Sequence, residues 1–244
     1  MRCVDVPKSV RKTRAVESRR GELVGNRVAL VGTVMYFLEW VAIVSIPSVP
    51  TDKLGRDPSS VVAAYGHPKA VGLAAGWFSV VLLGRVVFAI GLRDAFRGLR
   101  RERLFADVAV AAMALSVAIE VISFGMTAGA AWVANAGRDQ SAVVALDAAS
   151  EVASQLVFGP IGISVLAGAI AMTLSRLFPR WLGWVGVLSG SLLVVGGVLG
   201  VGGLGASGTF HDVAGALTAI PVPIFWIWMI GTAVVLFRAT VRRA

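Results

Sequence analysis

Six long apolar runs, separated by short polar connections, occupy the chain from Arg27 onward. They lie roughly at Arg27–Ser48, Val71–Leu92, Ala106–Ala134, Val152–Leu174, Trp181–Leu204 and Leu217–Phe237. A bilayer core of about 30 Å takes about 20 apolar residues in helical form, so each run is long enough to cross it. The pattern predicts an all-α, polytopic transmembrane helix bundle of six spans. Residues 1–26 form a basic segment ahead of it, residues 27–237 the transmembrane domain, and residues 238–244 a basic tail. The first run follows a long polar lead and has no small-residue cleavage site behind it, so it reads as a span and not as a cleaved signal.

The connections carry helix punctuation. "IPSVPTDKLGRDPSS" is rich in Pro, Gly and Asp and reads as a loop, and "DPSSVVAAY" is suited to opening a short interfacial helix. "NAGRDQS" reads as a tight turn, and "GASGTFHD" as another. Pro160 falls inside span four and is expected to kink it. Pro221 and Pro223 fall in the first turns of span six, where early N–H groups have no intrahelical acceptor. Trp77, Trp132, Trp181 and Trp184 fall near span ends, where an amphipathic ring is favoured. No internal repeat is visible, and Pro160 has no counterpart in the first half.

Charge sets an orientation. The stretch through Arg27, "RDAFRGLRRER", "RLFPRW" and the tail hold eighteen Lys and Arg, and the alternate connections hold four, with Arg85 inside a span. The positive-inside rule then predicts a cell (plasma) membrane protein with both termini in the cytoplasm. The net charge of +9 is therefore a topology signal and an attraction to anionic lipid, so the bilayer is the expected partner and nucleic acid is not. Hydrophobic residues make up 57% and charged residues 15% of the chain, which sets aside a soluble globule. Cys3 is the lone cysteine, and His67 and His211 are the two histidines, so neither a disulfide nor a metal site is predicted. The glycine-rich "VVGGVLGVGGLGASG" lacks the strand–turn–helix setting of a nucleotide fingerprint and reads as close helix packing. No cofactor is expected.

The chemistry lies in charges inside apolar runs. "VGTVMYFLEWVAIVSIP" carries Glu39 near its middle, and span three carries Glu120. At 1.5 Å per residue they lie roughly 18 Å and 21 Å from the cytoplasmic side, at matched depth. Asp147, Glu151 and Gln155 follow i, i+4, i+8 spacing and share one helix face at the outer end of span four. Asp212 and His211 stand at the outer end of span six. Arg85 lies nearer the inner side, placed to snorkel or to pair with Glu39 or Glu120. A charge at mid-membrane costs about 2.5–3.5 kcal/mol on insertion scales, so the carboxylates are expected to face the bundle interior. There a carboxyl favours its neutral form and can serve as a protected proton site.

These residues predict acid–base catalysis of a cyclase or isomerase type on a lipophilic small molecule. Glu39, Glu120 and Glu151 are the candidate catalytic groups. Arg85, Asp147, Gln155, His211 and Asp212 are polar candidates for binding. Tyr36, Phe37, Trp40, Phe124 and Trp132 are aromatic ones, because ring faces stabilise a developing cation. Two other classes compete: a proton- or cation-coupled transporter or binding protein, and a non-catalytic subunit docking through small-residue faces such as "LSGSLLVVGGVLGVGG". A homodimer would supply the transporter reading with its second half.

The stretch Ser154–Gly190, "SQLVFGPIGISVLAGAIAMTLSRLFPRWLGWVGVLSG", ends one span in a short basic turn of "LPRWLGWLG" form at Leu177–Gly186 and opens a glycine-rich one. Together with "HDVAGAL" at His211–Leu217, it resembles an uncharacterised family of six-span bacterial membrane proteins grouped as a domain of unknown function. The resemblance implies that topology and a bacterial origin, and it brings no catalytic residues with it.

Overall fold

The computed structural model describes residues 27–45, 58–137, 139–203 and 219–241. Among these residues every regular element is helical. Helix α1 covers 27–37 and α2 Glu39–Ser45. They are followed by α3 Pro58–Ala64, α4 Pro68–Val81, α5 Leu83–Ala95 and α6 Arg100–Asn135. The remaining helices are α7 Gln140–Leu156, α8 Phe158–Ser175, α9 Arg180–Gly202 and α10 Pro221–Val241. Five runs are long and apolar enough to cross a membrane: Pro68–Ala95, Arg100–Asn135, Gln140–Ser175, Arg180–Gly202 and Pro221–Ala239. The chain is a multi-pass helical membrane protein. The first predicted span, divided at Leu38 into α1 and α2, is not among those five runs.

Local chemistry explains the helix ends. Pro68 and Pro221 occupy first helical positions, where a missing N–H has no intrahelical use. Asp139 caps α7, accepting from the Ser141 N–H at 2.9 Å and the Ser141 hydroxyl at 2.7 Å. Those bonds hold the exposed Asp139 carboxyl below its usual range. Gly98 and Gly137 close the turns after α5 and α6 at φ 86° and 62°, a region open to glycine without strain. These ends lengthen two predicted spans. Arg100–Asn135 starts ahead of Ala106, and Gln140–Ser175 starts ahead of Val152, because charged and polar residues at a helix end lower hydropathy without stopping the helix.

Helix α6 is the hub, packing against α4, α5, α7 and α8. Helix α8 runs along α9, and α9 carries α10 on another face. Helix α1 lies close on α5: a Cβ on Gly84 would stand 2.5 Å from both the Gly32 carbonyl and the Tyr36 nitrogen, so only glycine permits this approach. The predicted short helix before span two is α3, which sits on α7. There Tyr65, Val71, Ala130 and Val143 form a small core separate from the main one. Apolar side chains such as Leu73, Ile122, Leu188 and Val198 cover the outside, the surface a bilayer requires.

Three helices tighten or break part-way. At Leu38 the α1–α2 run makes a turn, with Val41 N donating to Leu38 O at 3.1 Å, and the Trp77 indole N–H donates to the same carbonyl at 2.9 Å. At Leu82, Arg85 N donates three residues back to Leu82 O at 3.0 Å. At Val157 the α7–α8 run turns three residues before Pro160, which has no N–H to give to Leu156. Span four is therefore interrupted next to Pro160, and the first half has two breaks that no proline signals.

Candidate functional site

One cavity of about 640 Å³ is lined by Val157 at the third break and by Glu39, one residue past the first. Glu39 from α2, Arg85 from α5, Glu120 from α6, and Glu151 and Gln155 from α7 all line it. Its apolar wall includes Tyr36, Phe78, Phe124, Phe225 and Trp226. Seven of the expected site residues thus meet at one place: Tyr36, Glu39, Arg85, Glu120, Phe124, Glu151 and Gln155.

The close approach of α1 to α5 at Gly84 sets the next contact. It brings the Tyr36 ring over Arg85, whose guanidinium carbon lies 5.2 Å from the ring centroid. Arg85 is 1% exposed, and its Nη2 is ion-paired with Glu120 Oε2. Its Nε has no hydrogen-bond partner. A buried guanidinium needs a carboxylate and a ring face to offset its desolvation, and here it has both.

Glu39 is 7% exposed and stands three residues after Tyr36 on the α1–α2 run. The Trp226 indole N–H donates to the Tyr36 hydroxyl at 3.3 Å, which ties α10 to α1 beside Glu39. On the opposite wall Gln155 Nε2 donates to Glu151 Oε1 at 3.2 Å, which holds both side chains against α7. The Gln155 Oε1 atom is buried without a partner.

The remaining expected residues lie elsewhere. Phe37 and Trp40 stand edge-on to Trp226, with ring centroids 6.0 Å and 5.2 Å away, and back the wall without lining it. Trp132 is 72% exposed and faces outward, consistent with its alternative reading as an anchor. Asp147 shares the helix face predicted for it, but the Tyr65 hydroxyl donates to its carboxylate and draws it into the small core under α3. Burial, with Asp147 adding to it, pushes the Tyr65 hydroxyl above the ordinary tyrosine range. His211 and Asp212 fall outside the described residues.

The structure adds groups that hydropathy hides. Ser123, Thr127 and Ser150 lie where α6 meets α7 and open onto the cavity. The Ser123 hydroxyl donates to Ser150 O at 2.8 Å, and the Thr127 and Ser150 hydroxyls are 2.6 Å apart. Phe78 stacks on Phe124 at 4.3 Å, their planes 9° from parallel, and completes one aromatic side. The i, i+4 spacing of Ser123 and Thr127 was the available signal.

No group of three His, Cys, Asp or Glu among the described residues is placed to hold a metal ion. What the site offers is a carboxylate fixed by an arginine, a second beside a tyrosine, a third beside an amide, and an apolar, aromatic wall. No curated protein and no solved structure matches the chain. A family match extends over residues 30–237, well beyond the C-terminal half that carries the basic turn. The chain belongs to the family described as a domain of unknown function, DUF4386.

Proposed function

We propose that the protein holds a lipophilic small molecule in this cavity, within the bilayer, and performs acid–base chemistry on it, of a cyclase or isomerase type. The observation that carries the reading is the convergence of Glu39, Glu120 and Glu151, from three separate helices, on one aromatic-walled space. Glu120, paired with Arg85, stabilises positive charge that develops on the substrate. Glu39, beside Tyr36, gives a proton to one substrate atom. Glu39 or Glu151 takes one back from another. Such a rearrangement balances within the substrate and needs no co-reactant. The volume lies within the range of small-molecule sites.

The non-catalytic docking reading is weakened because the small-residue face of α9 is occupied. A Cβ on Gly190 would stand 2.8 Å from the Gly162 carbonyl, and one on Gly197 2.8 Å from the Gly159 nitrogen, both on α8. A transport reading draws on the breaks at Leu38, Leu82 and Val157, since discontinuous helices flank many transporter sites.

The catalytic reading is tested by incubating the protein with total lipid extract in heavy water and analysing the lipids by mass spectrometry. Deuterium is expected in one apolar compound with the wild type and not with Glu39→Gln. Deuterium in neither sample rejects it. For topology, we take α1 with α2 as a sixth crossing and both termini as cytoplasmic, with the plasma membrane as the location. Cys3 is the sole thiol, so an impermeant maleimide should label intact cells only after permeabilisation. Labelling before it would reverse the orientation.

A further inference from the structure

We infer that the ligand of this cavity is a lipophilic cation, a protonated amine on an apolar body, with its charged head between Glu39 and the Glu151–Gln155 wall. The inference rests on the cavity being a ligand site, as proposed above. Three carboxylates line the space, and among the described lining residues Arg85 is the only cation. Arg85 is already engaged: Nη2 bonds Glu120, and the guanidinium lies over the Tyr36 ring. Glu39 and Glu151 make no ion pair with any described residue. Glu39 is attracted by the Arg85 charge, but no ion pair engages it or Glu151, so an anionic ligand would meet two carboxylates and a guanidinium already bonded to Glu120. A neutral ligand would leave the imbalance as it is.

Two further features ask for a donor with positive charge. Gln155 Oε1 is buried without a hydrogen-bond partner, although its amide nitrogen bonds Glu151. An ammonium N–H satisfies such an acceptor, and the carboxylate beside it strengthens the bond. The lining also carries aromatic rings, Phe124 stacked on Phe78, and Phe225 and Trp226. Aromatic rings attract a cation through their faces and accommodate an apolar body equally well. A ligand ammonium therefore supplies the missing counter-charge, the missing donor and the apolar surface together.

The test compares two probes of one chain length, dodecylamine and dodecanol, added to the full-length protein in nanodiscs of zwitterionic lipid. Tryptophan fluorescence is the signal, and the part of it removed by Trp226→Phe reports the cavity. The amine is expected to bind at least about tenfold more tightly than the alcohol. That preference should shrink to about twofold or less in Glu151→Gln and in Glu39→Gln, with unchanged helix melting. Equal affinity of the two probes for the wild type overturns the cation inference and leaves the cavity reading standing. No Trp226-dependent change with either probe overturns both. A preference that persists in both variants overturns the assignment to these carboxylates. The wild-type comparison decides the charge preference even if a variant fails to fold.

Discussion

Two seams of this protein are built by opposite means. Where α8 meets α9, small residues remove the space between backbones: Gly162, Gly190 and Gly197 are buried at the contact. The next position along α9, Gly186, receives the Trp228 ring of α10, which fills the gap that a glycine leaves. Where α6 meets α7, hydroxyls join the helices. Ser123, Thr127 and Ser150 satisfy one another, and beyond them the helices bound a hollow. One seam excludes ligand by having no volume, and the other keeps volume open by paying its polar groups with hydrogen bonds. In apolar surroundings helices gain little from burying more hydrocarbon, so close contact and polar pairing decide where they touch.

Gly190→Leu should separate the two seams most sharply. Its side chain would meet the Gly162 carbonyl and the Leu166 backbone nitrogen, each 2.8 Å from the new Cβ, neither of which can swing away. Overpacking of this kind costs about 3 kcal/mol. Helix melting followed by circular dichroism should show the loss, and an unchanged melt would mean that α8 and α9 are not locked together. The next effect belongs to the cavity. Arg85→Met leaves Glu120 without its partner, at a cost of about 2 kcal/mol, below the fully buried case because the Glu120 side chain is 22% exposed. Adding Glu120→Gln should restore most of that loss. If the double variant were no more stable than Arg85→Met, the pair would not be the source of the coupling.

Much of this contrast could be read in advance, and the part that could not has a physical cause. A carboxylate in a long apolar run has few tolerable positions, so Glu39 and Glu120 pointed to an interior site from composition and depth alone, while Arg85 was open between snorkelling and pairing. A serine or threonine in such a run carries no such constraint, because its hydroxyl can bond its own helix as Thr232 does to Trp228 O at 2.7 Å. That kept Ser123, Thr127 and Ser150 out of view. The breaks at Leu38 and Leu82 were equally hidden, because neither has a proline or glycine at the turn itself. The Leu38 turn is held from another helix, by the Trp77 indole. Asp147 shows the limit of helical spacing: residues on one face share a direction, but α3 decides which of them reaches the cavity.

The Tyr65–Asp147 bond offers a smaller test of that limit. Tyr65→Phe removes the donor to a buried carboxylate, and the loss should be about 1 kcal/mol. It should lower the melt slightly and leave amine binding in the cavity unchanged. Weaker amine binding in this variant would join the α3 core to the site and erase the separation between them.

The smallest structural effect is expected at the residue with the largest chemical one. Glu39→Gln keeps the size of the side chain and breaks no ion pair, so stability should move by no more than about 0.5 kcal/mol. The amide has no carboxyl proton to give at that position, and deuterium transfer to lipid should stop. A structural lock predicts the reverse, since altering a buried carboxyl in a packed wall would move the melt and leave chemistry elsewhere intact. Measuring melt and exchange on the same preparation separates the two. The α8–α9 seam admits no equivalent substitution, because its glycines are defined by what they lack. A seam made by contact fails in stability when altered, and a cavity made by chemistry fails in turnover.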